Sequence, residues 1–122
     1  MASLSIRIDV GPGNRIGPGK VQLLEMIAEH GSISAAGRAL GMSYRRAWLL
    51  IEAMNGGFGR PVVEAQIGGK AGGGARLSAF GADLIAHYRA IERAADKAAA
   101  PFLDRIAAPA QGKDDVPPTA VS

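Results

Sequence analysis

The residues best suited to chemistry in this chain stand at four consecutive positions, Ser43-Tyr44-Arg45-Arg46. An arginine guanidinium donates paired hydrogen bonds to guanine, and serine and tyrosine hydroxyls bond bases or phosphates singly. Ser43 is an N-cap residue type, so the other three side chains fall on the first turn of a helix. A recognition helix contacts DNA through that turn, and we expect this group of four to contact bases and phosphates.

The twelve residues before Ser43, GSISAAGRALGM, predict the partner helix that such a turn requires. Small residues over 33–40 let a second helix pack at close range, and Gly41 permits a sharp turn between the two. Ser32 and Ser34 are candidate caps of the first helix. We expect both hydroxyls to contact the DNA backbone, and the segment to form a helix-turn-helix.

Charge is concentrated around the same segment. Residues 38–76 contain six basic and two acidic residues, a local net charge of +4, whereas the whole chain carries +3. A basic surface attracts a polyanion such as double-stranded DNA. A solvated face of ordinary charges explains the count equally well, so charge alone leaves both interpretations open.

Residue types for catalysis or metal binding are sparse. The chain has no cysteine, which excludes disulfides, thiolate metal sites and cysteine nucleophiles. His30 and His87 have no companion at metal-ligand spacing, and the adjacent Asp114 and Asp115 lie in a terminal tail. We therefore expect no enzyme activity, no metal and no cofactor.

A glycine-rich loop, GGKAGGG at residues 68–74, resembles a phosphate cradle at first sight. The Walker pattern fails, because Glu64 and Ala71 occupy the positions that require glycine and a hydroxyl residue. Short strands before and after the loop, at 61–67 and 75–77, instead predict a wing, with Lys70 and Arg76 on the DNA backbone. A small oxyanion-binding protein that uses this loop as an anion nest is the alternative.

The remaining elements position this surface. Alternating apolar residues over 4–10 predict a half-buried strand, and residues 11–19 turn the chain. A helix from Pro18 to Gly31 follows. A later helix covers residues 44–54, and the Asn-Gly-Gly sequence at 55–57 stops it. It should bury Ala47, Ile51 and Met54, and we expect Trp48 to pack in a core or an interface.

Ser78 begins a long last helix with a seam in steps of four and three residues, typical of two packed helices. Pro101 predicts a kink or break within it. The domain should cover residues 1–108, and the proline-rich residues 109–122 should form a disordered tail. We expect two copies of the chain to pack along this seam as a homodimer; the alternative is a module whose long helix recruits another protein. The seam residues are Leu84, Tyr88, Ile91, Ala95, Ala98 and Phe102.

Several of these segments together resemble the N-terminal DNA-binding domain of the molybdate-responsive ModE-type transcriptional regulators, which are related to LysR-type winged helices. The matching segments are GSIS at 31–34, SYRRAW at 43–48, EAMN at 52–55 and the glycine-rich stretch to Gly81. The resemblance spans most of residues 4–106. The pairing of the SYRRAW motif with the glycine-rich wing is more specific than either alone.

The resemblance implies a mainly α-helical winged helix-turn-helix with a small β wing and a long C-terminal dimerisation helix. It further implies a homodimer on a palindromic duplex site, acting in transcription regulation. Family members that sense molybdate carry further oxyanion-binding domains, so we expect any molybdate sensing to come from a separate partner. No signal peptide or membrane-spanning run is evident, and we expect a cytoplasmic protein.

Overall fold

The computed structural model describes residues 2–66 and 74–112, with side chains to residue 108. Over these residues the chain forms four helices and two separate two-stranded sheets. In chain order they are β1 (Ile8–Gly11), β2 (Asn14–Ile16), α1 (Pro18–His30), α2 (Ile33–Ala39), α3 (Tyr44–Phe58), β3 (Val63–Gln66), β4 (Gly74–Leu77) and α4 (Ala79–Gly112).

The N-terminal segment forms a hairpin instead of the single strand predicted over 4–10. The regular strand β1 begins only at Ile8 and pairs antiparallel with β2, which lies inside the stretch expected to be a turn. Gly13 lies in the left-handed region (φ 73°), which allows the tight reversal between the strands. Leu4 and Val10 are exposed, so alternation of residue types overestimated how much of this strand is buried.

Helix α1 begins and ends where the sequence predicts. Pro18 stands in its first turn, and Gly31, at φ 76°, ends it by donating its amide to the Ile27 carbonyl at 2.8 Å. The helix buries Val21, Leu23, Leu24 and Ile27, whereas Ala28 is exposed. Four fully buried side chains make α1 the centre of the core.

Helix α3 continues through the Asn-Gly-Gly sequence that was expected to end it, and reaches Phe58. Gly57 lies against the side chain of Asn14 in β2, and a Cβ at Gly57 would come within 2.7 Å of Asn14 Cγ. The glycine thus lets the hairpin dock on the helix. The last helical residue is Phe58, and the C-cap that follows it, Gly59, has a left-handed φ of 69°.

The predicted pair of strands after α3 is confirmed. Strands β3 and β4 pair antiparallel, with Val63 opposite Leu77 and Gln66 opposite Gly74. The Ala75 amide donates to the Gly31 carbonyl at 2.9 Å, which ties the hairpin to the end of α1. The connection at residues 67–73, including Lys70, lies outside the described residues.

The first half of α4 is fastened to the rest of the domain. Ser78 caps it, since its Oγ accepts from the Gly81 amide at 2.9 Å and donates to the Pro61 carbonyl at 2.6 Å. Farther along, the buried Tyr88 hydroxyl donates to the Ile6 carbonyl at 2.7 Å. The start of α4 therefore holds both the end of α3 and the segment before β1.

The second half of α4 continues through Pro101 without a break and extends to Gly112. A break at Pro101 was therefore the wrong expectation. Residues 109–112 are helical, although the tail was predicted to start there, and residues 113–122 of that predicted tail lie outside the described part of the chain.

One hydrophobic core joins α1, α2, α3, both strands of the second sheet and the start of α4. Its buried members are Ile16, Val21, Leu23, Leu24, Ile27, Ala36, Ala47, Ile51, Met54, Val62, Val63, Ala75 and Tyr88. None of the helices described has both the length and the apolar character needed to cross a bilayer.

Candidate nucleic-acid interface

Helices α2 and α3 meet through glycine at the closest point. A Cβ on Gly37 would lie 3.1 Å from the Met42 carbonyl oxygen and 3.5 Å from Ala47 Cβ. The Met42 amide donates to the Gly37 carbonyl at 2.9 Å, and Gly41 turns the chain with φ 70°. These contacts fix the angle between the helices, and the predicted helix-turn-helix is confirmed.

Two of the predicted serines are N-caps. Ser32 Oγ accepts the Ala35 amide at 3.0 Å, and Ser43 Oγ accepts the Arg46 amide at 3.1 Å. Each hydroxyl keeps its proton for donation to a ligand. Ser34, two residues after Ser32, is exposed, and its Oγ accepts from Arg38 Nη1 at 2.9 Å.

The first turn of α3 faces solvent. Tyr44 is 56% exposed, and Arg45 and Arg46 are exposed beside it, whereas Ala47 is fully buried. The buried side of the helix continues through Ile51 and Met54, as predicted. Exposure and charge therefore coincide on the segment that the sequence singled out.

Trp48 was predicted to pack in a core or an interface, and it does not lie in the core of this chain. It is 41% exposed and lies one turn beyond Tyr44, on the same side of α3. A step of four residues keeps two side chains on one helical face, so the spacing of the two aromatics carried this signal. Trp48 is thus a surface residue, and its packing in an interface stays a prediction.

A cleft of about 340 Å³ separates α3 from the start of α2 and the β3–β4 hairpin. We call it the wing cleft. Residues from all three elements line it, including Ser32, Ser34, Tyr44, Trp48, Glu52 and Gly74. Three of the residues predicted to contact DNA, Ser32, Ser34 and Tyr44, therefore meet in a single concavity.

Arg76 lies on β4, where it is paired with Glu64 of β3. The two directly oppose each other across the strands, and Arg76 Nε lies 3.6 Å from Glu64 Oε1. Both side chains are largely exposed, so the ion pair contributes little and leaves Arg76 able to reorient. The glycine loop of the alternative oxyanion site, with Lys70, is not among the described residues.

A second concavity, of about 300 Å³, lies between the N-terminal hairpin, the start of α1 and α3. We call it the hairpin cleft. Its lining contains Arg7, Arg15, Lys20 and Arg46. Sequence reasoning found only the last of these, because the others are far apart along the chain and only the fold brings them together.

The predicted seam of α4 divides into two parts. Leu84 and Tyr88 pack against the core, where Tyr88 is only 1% exposed and Leu84 is partly buried. Ile91, Ala98 and Phe102 are exposed and Ala95 is half-buried. Ile106, 69% exposed and four residues beyond Phe102, belongs to the same stripe and was missed.

Comparison with known proteins agrees with this architecture. Residues 19–82 match the bacterial regulatory helix-turn-helix proteins of the lysR family. Among solved structures, the DNA complex of the CbnR DNA-binding domain superposes with a TM-score of 0.54 at 20% identity, covering 69% of this chain and 91% of that one. ArgP from Mycobacterium tuberculosis superposes with a TM-score of 0.52 at 18% identity, covering 70% of this chain and 30% of that one.

Curated relatives are more similar in sequence. Over 109 residues the chain is 39% identical to the molybdenum-pterin-binding protein MopA of Rhodobacter capsulatus. This match covers 89% of this chain and 40% of MopA. It is 50% identical over 90 residues to MopB of the same organism, covering 74% and 33%. The DNA-binding transcriptional dual regulator ModE of Escherichia coli is 41% identical over 81 residues, covering 66% and 31%. The chain thus spans between a third and two fifths of the lengths of MopA and MopB.

Proposed function

The chain belongs to the lysR family of bacterial regulatory helix-turn-helix proteins and carries a DNA-binding domain homologous to ModE regulators, and we propose that it binds a palindromic duplex site as a homodimer. It would act as a transcriptional regulator in the bacterial cytoplasm and not as an enzyme. The observation that carries the proposal is the first turn of α3, where Tyr44, Arg45 and Arg46 are exposed over a buried Ala47.

Helix α3 suits the major groove in size and in chemistry. Its 15 residues extend about 22 Å, and the groove of B-DNA, about 12 Å wide, admits one helix. Arg45 can donate two hydrogen bonds to guanine O6 and N7, and Tyr44 adds a hydroxyl and an apolar ring. We assign base recognition to these two residues, with Arg46 at the edge of the groove.

Backbone contacts complete the assignment. Ser32 and Ser43, the N-caps of α2 and α3, carry hydroxyls at helix N-termini, and such groups bind phosphate. Ser32 and Ser34 line the wing cleft beside Tyr44, and Arg76 extends from the wing. We propose that these residues, together with Lys70, hold the phosphates on the wing side.

Dimerisation is assigned to the distal half of α4. Ile91 is 45% exposed and Phe102 65% exposed among the described residues. The helix of 34 residues extends about 51 Å, well past the body. A second copy that packs along Ile91, Ala95, Ala98, Phe102 and Ile106 would bury this stripe and relate two α3 helices by a two-fold axis.

The relatives' names connect them to molybdenum, and we extend the proposal to genes of molybdenum homeostasis. Molybdate itself would be sensed by a separate partner. Isothermal titration of this chain with molybdate should then give no saturable heat, and DNA affinity should not change with molybdate. Saturable binding to the chain alone would contradict this part.

Removal of single arginines tests the DNA assignment. We expect Arg45→Ala to weaken binding to a specific duplex by about 1–3 kcal/mol and to relax base preference at one position, because a guanine contact is lost. Arg46→Ala should weaken binding as well. Arg76→Ala should weaken binding to all sequences and lower the salt dependence.

Arg93→Ala is the matched control, since Arg93 is an exposed arginine of α4 away from α3. Fluorescence anisotropy on specific and random duplexes measures all four variants. If Arg45→Ala and Arg46→Ala both bind as tightly as the control, α3 is not the recognition helix.

A further inference from the structure

The hairpin cleft brings together four cationic side chains from four parts of the chain. Arg7 precedes β1, Arg15 is in β2, Lys20 is in the first turn of α1, and Arg46 is in α3. Among the residues that line this cleft there is no carboxylate. Convergence of like charges is unfavourable by itself, so the arrangement favours an anionic ligand.

The fold holds these cations in place. Gly17 allows the stem of Arg7 to cross the start of α1, where a Cβ on residue 17 would lie 3.1 Å from Arg7 Cγ. The preceding carbonyl, of Ile6, accepts the buried Tyr88 hydroxyl at 2.7 Å. Lys20 Nζ donates to the Arg15 carbonyl at 2.8 Å, which joins β2 to α1.

Within the described part of the chain, an ion pair partly neutralises only one of the four cations. Arg15 Nε lies 2.9 Å from Asp9 Oδ1, and both side chains are more than 60% exposed, so solvent screens this pair. The first turn of α1 contains no acidic residue, and Gly17 provides no side-chain cap. The positive end of the α1 dipole therefore adds to the charge of Arg7, Lys20 and Arg46.

The position of the cleft relative to α3 identifies the occupant. Successive residues of a helix are 100° apart, so Arg45 and Leu49 lie between the wing-cleft residues Tyr44 and Trp48 on one side and Arg46 and Leu50 on the other. The exposed face of α3 is thus bordered by a cleft on each side. A helix in the major groove is likewise bordered by the phosphates of both strands.

We propose that the hairpin cleft binds the phosphate backbone of the DNA strand opposite the one that contacts the wing. The inference rests on the proposed function and adds to it a second row of phosphate contacts. Arg7 and Arg15 precede residue 19, where the match to the lysR family begins, so the hairpin adds these contacts to the shared helix-turn-helix. Arg46 belongs to both the recognition helix and the cleft, which makes the surface continuous.

The test compares Arg7→Gln, Arg7→Lys, Lys20→Ala and the control Arg93→Ala by anisotropy on specific and random duplexes at several salt concentrations. The slope of log K against log salt is negative, and each lost phosphate contact makes it less steep by about 1. Arg7→Gln and Lys20→Ala should therefore weaken both duplexes by equal factors. Their deficit should shrink about threefold between about 50 and about 200 mM salt. Arg7→Lys should keep the parent's slope, because it keeps the charge.

The location is tested with duplexes that carry a neutral methylphosphonate at single flanking positions. At one position on the strand away from the wing, the substitution should weaken the parent but not Arg7→Gln. Circular dichroism of each variant excludes those that fail to fold.

The outcomes separate this inference from the proposed function. If the parent binds no duplex, the proposed function fails. If the parent binds but Arg7→Gln and Lys20→Ala match Arg93→Ala in affinity and slope, only the hairpin-cleft assignment fails. Saturable binding of inorganic phosphate that is lost in Arg7→Gln, with DNA affinity unchanged, would identify a free anion as the occupant and overturn the proposal.

Discussion

The two halves of α4 have the same helical backbone but opposite surroundings. In the first half, Gly81, Tyr88 and Arg89 contact the body of the domain through close packing, a buried hydrogen bond and an ion pair. In the second half, Phe102 and Ile106 are 65% and 69% exposed. The first half is therefore stabilised within one chain, whereas the second half presents apolar surface that the described residues leave exposed.

This difference separates two kinds of consequence for mutations. Changes in the first half should alter the free energy of unfolding at any protein concentration. Changes in the second half should alter association and leave a monomer's unfolding nearly unaffected. Each prediction below tests one side of that division.

The largest effect is expected at Gly81. A Cβ there would collide with the Val62 carbonyl oxygen, a backbone atom that also accepts the Ser78 amide. Gly81→Ala should therefore lower the free energy of unfolding by about 3 kcal/mol, measured by urea denaturation. Gly56→Ala is the control, because a Cβ there meets nothing within 4 Å, and it should be neutral or slightly stabilising. Equal stabilities of the two variants would contradict the close packing at Gly81.

The next effect concerns the distal half. Phe102→Ser should lose about 2 kcal/mol of association free energy per protomer, since the ring is buried only when a partner covers it. Because each dimer loses two rings, about 4 kcal/mol in all, sedimentation equilibrium should show a dissociation constant raised about a thousandfold. Arg93→Ala, off the stripe, should not change it. A parent that remains monomeric at every concentration would contradict the division between the two halves.

Arg89 links the first half of α4 to α1. Its guanidinium donates to both Glu25 oxygens at 2.9 and 2.7 Å and to Glu92 at 2.6 Å, and these carboxylates raise the pKa of Arg89 above its ordinary value. Arg89→Ala should cost about 1–2 kcal/mol, because two carboxylates lose a shared partner. Arg89→Lys should lie between, having charge without the paired geometry. A loss that does not shrink in high salt would argue against an electrostatic origin.

The smallest effect is at Tyr88. Tyr88→Phe should cost about 1 kcal/mol near pH 7, because the Ile6 carbonyl loses its donor. Burial, followed by the Glu92 carboxylate, raises the pKa of Tyr88 above 10.0. The unfolded phenol ionises first, so the parent should lose stability as pH rises above about 10, and the Phe variant should lose less. Parallel pH profiles of unfolding would contradict the burial of this hydroxyl.

Local signals predicted much of the fold. Pro18, Ser43, Ser78 and Gly31 begin or end helices through contacts within a few residues, which a sequence displays directly. The exposed turn at Arg45 followed from the same reasoning. Such features depend on local backbone chemistry and not on distant partners.

The errors arose where distant contacts decide. Helix α3 passes Gly57 because Asn14, 43 positions earlier, fills the space beside it. Tyr88 has the spacing of an outer seam but is buried against residues before β1. The hairpin cleft could not be foreseen for the same reason, since only the docked hairpin brings Arg7 to Lys20.

Selection of bound sites from random duplex DNA tests the central claim most directly. The account predicts an inverted repeat whose half-sites lie about one or more helical turns apart, centred on the two-fold axis of the α4 pair. The same selection with Arg45→Ala should yield the same symmetry with one degenerate position per half-site. Recovery of no sequence preference, or of an asymmetric single site, would contradict recognition by paired α3 helices.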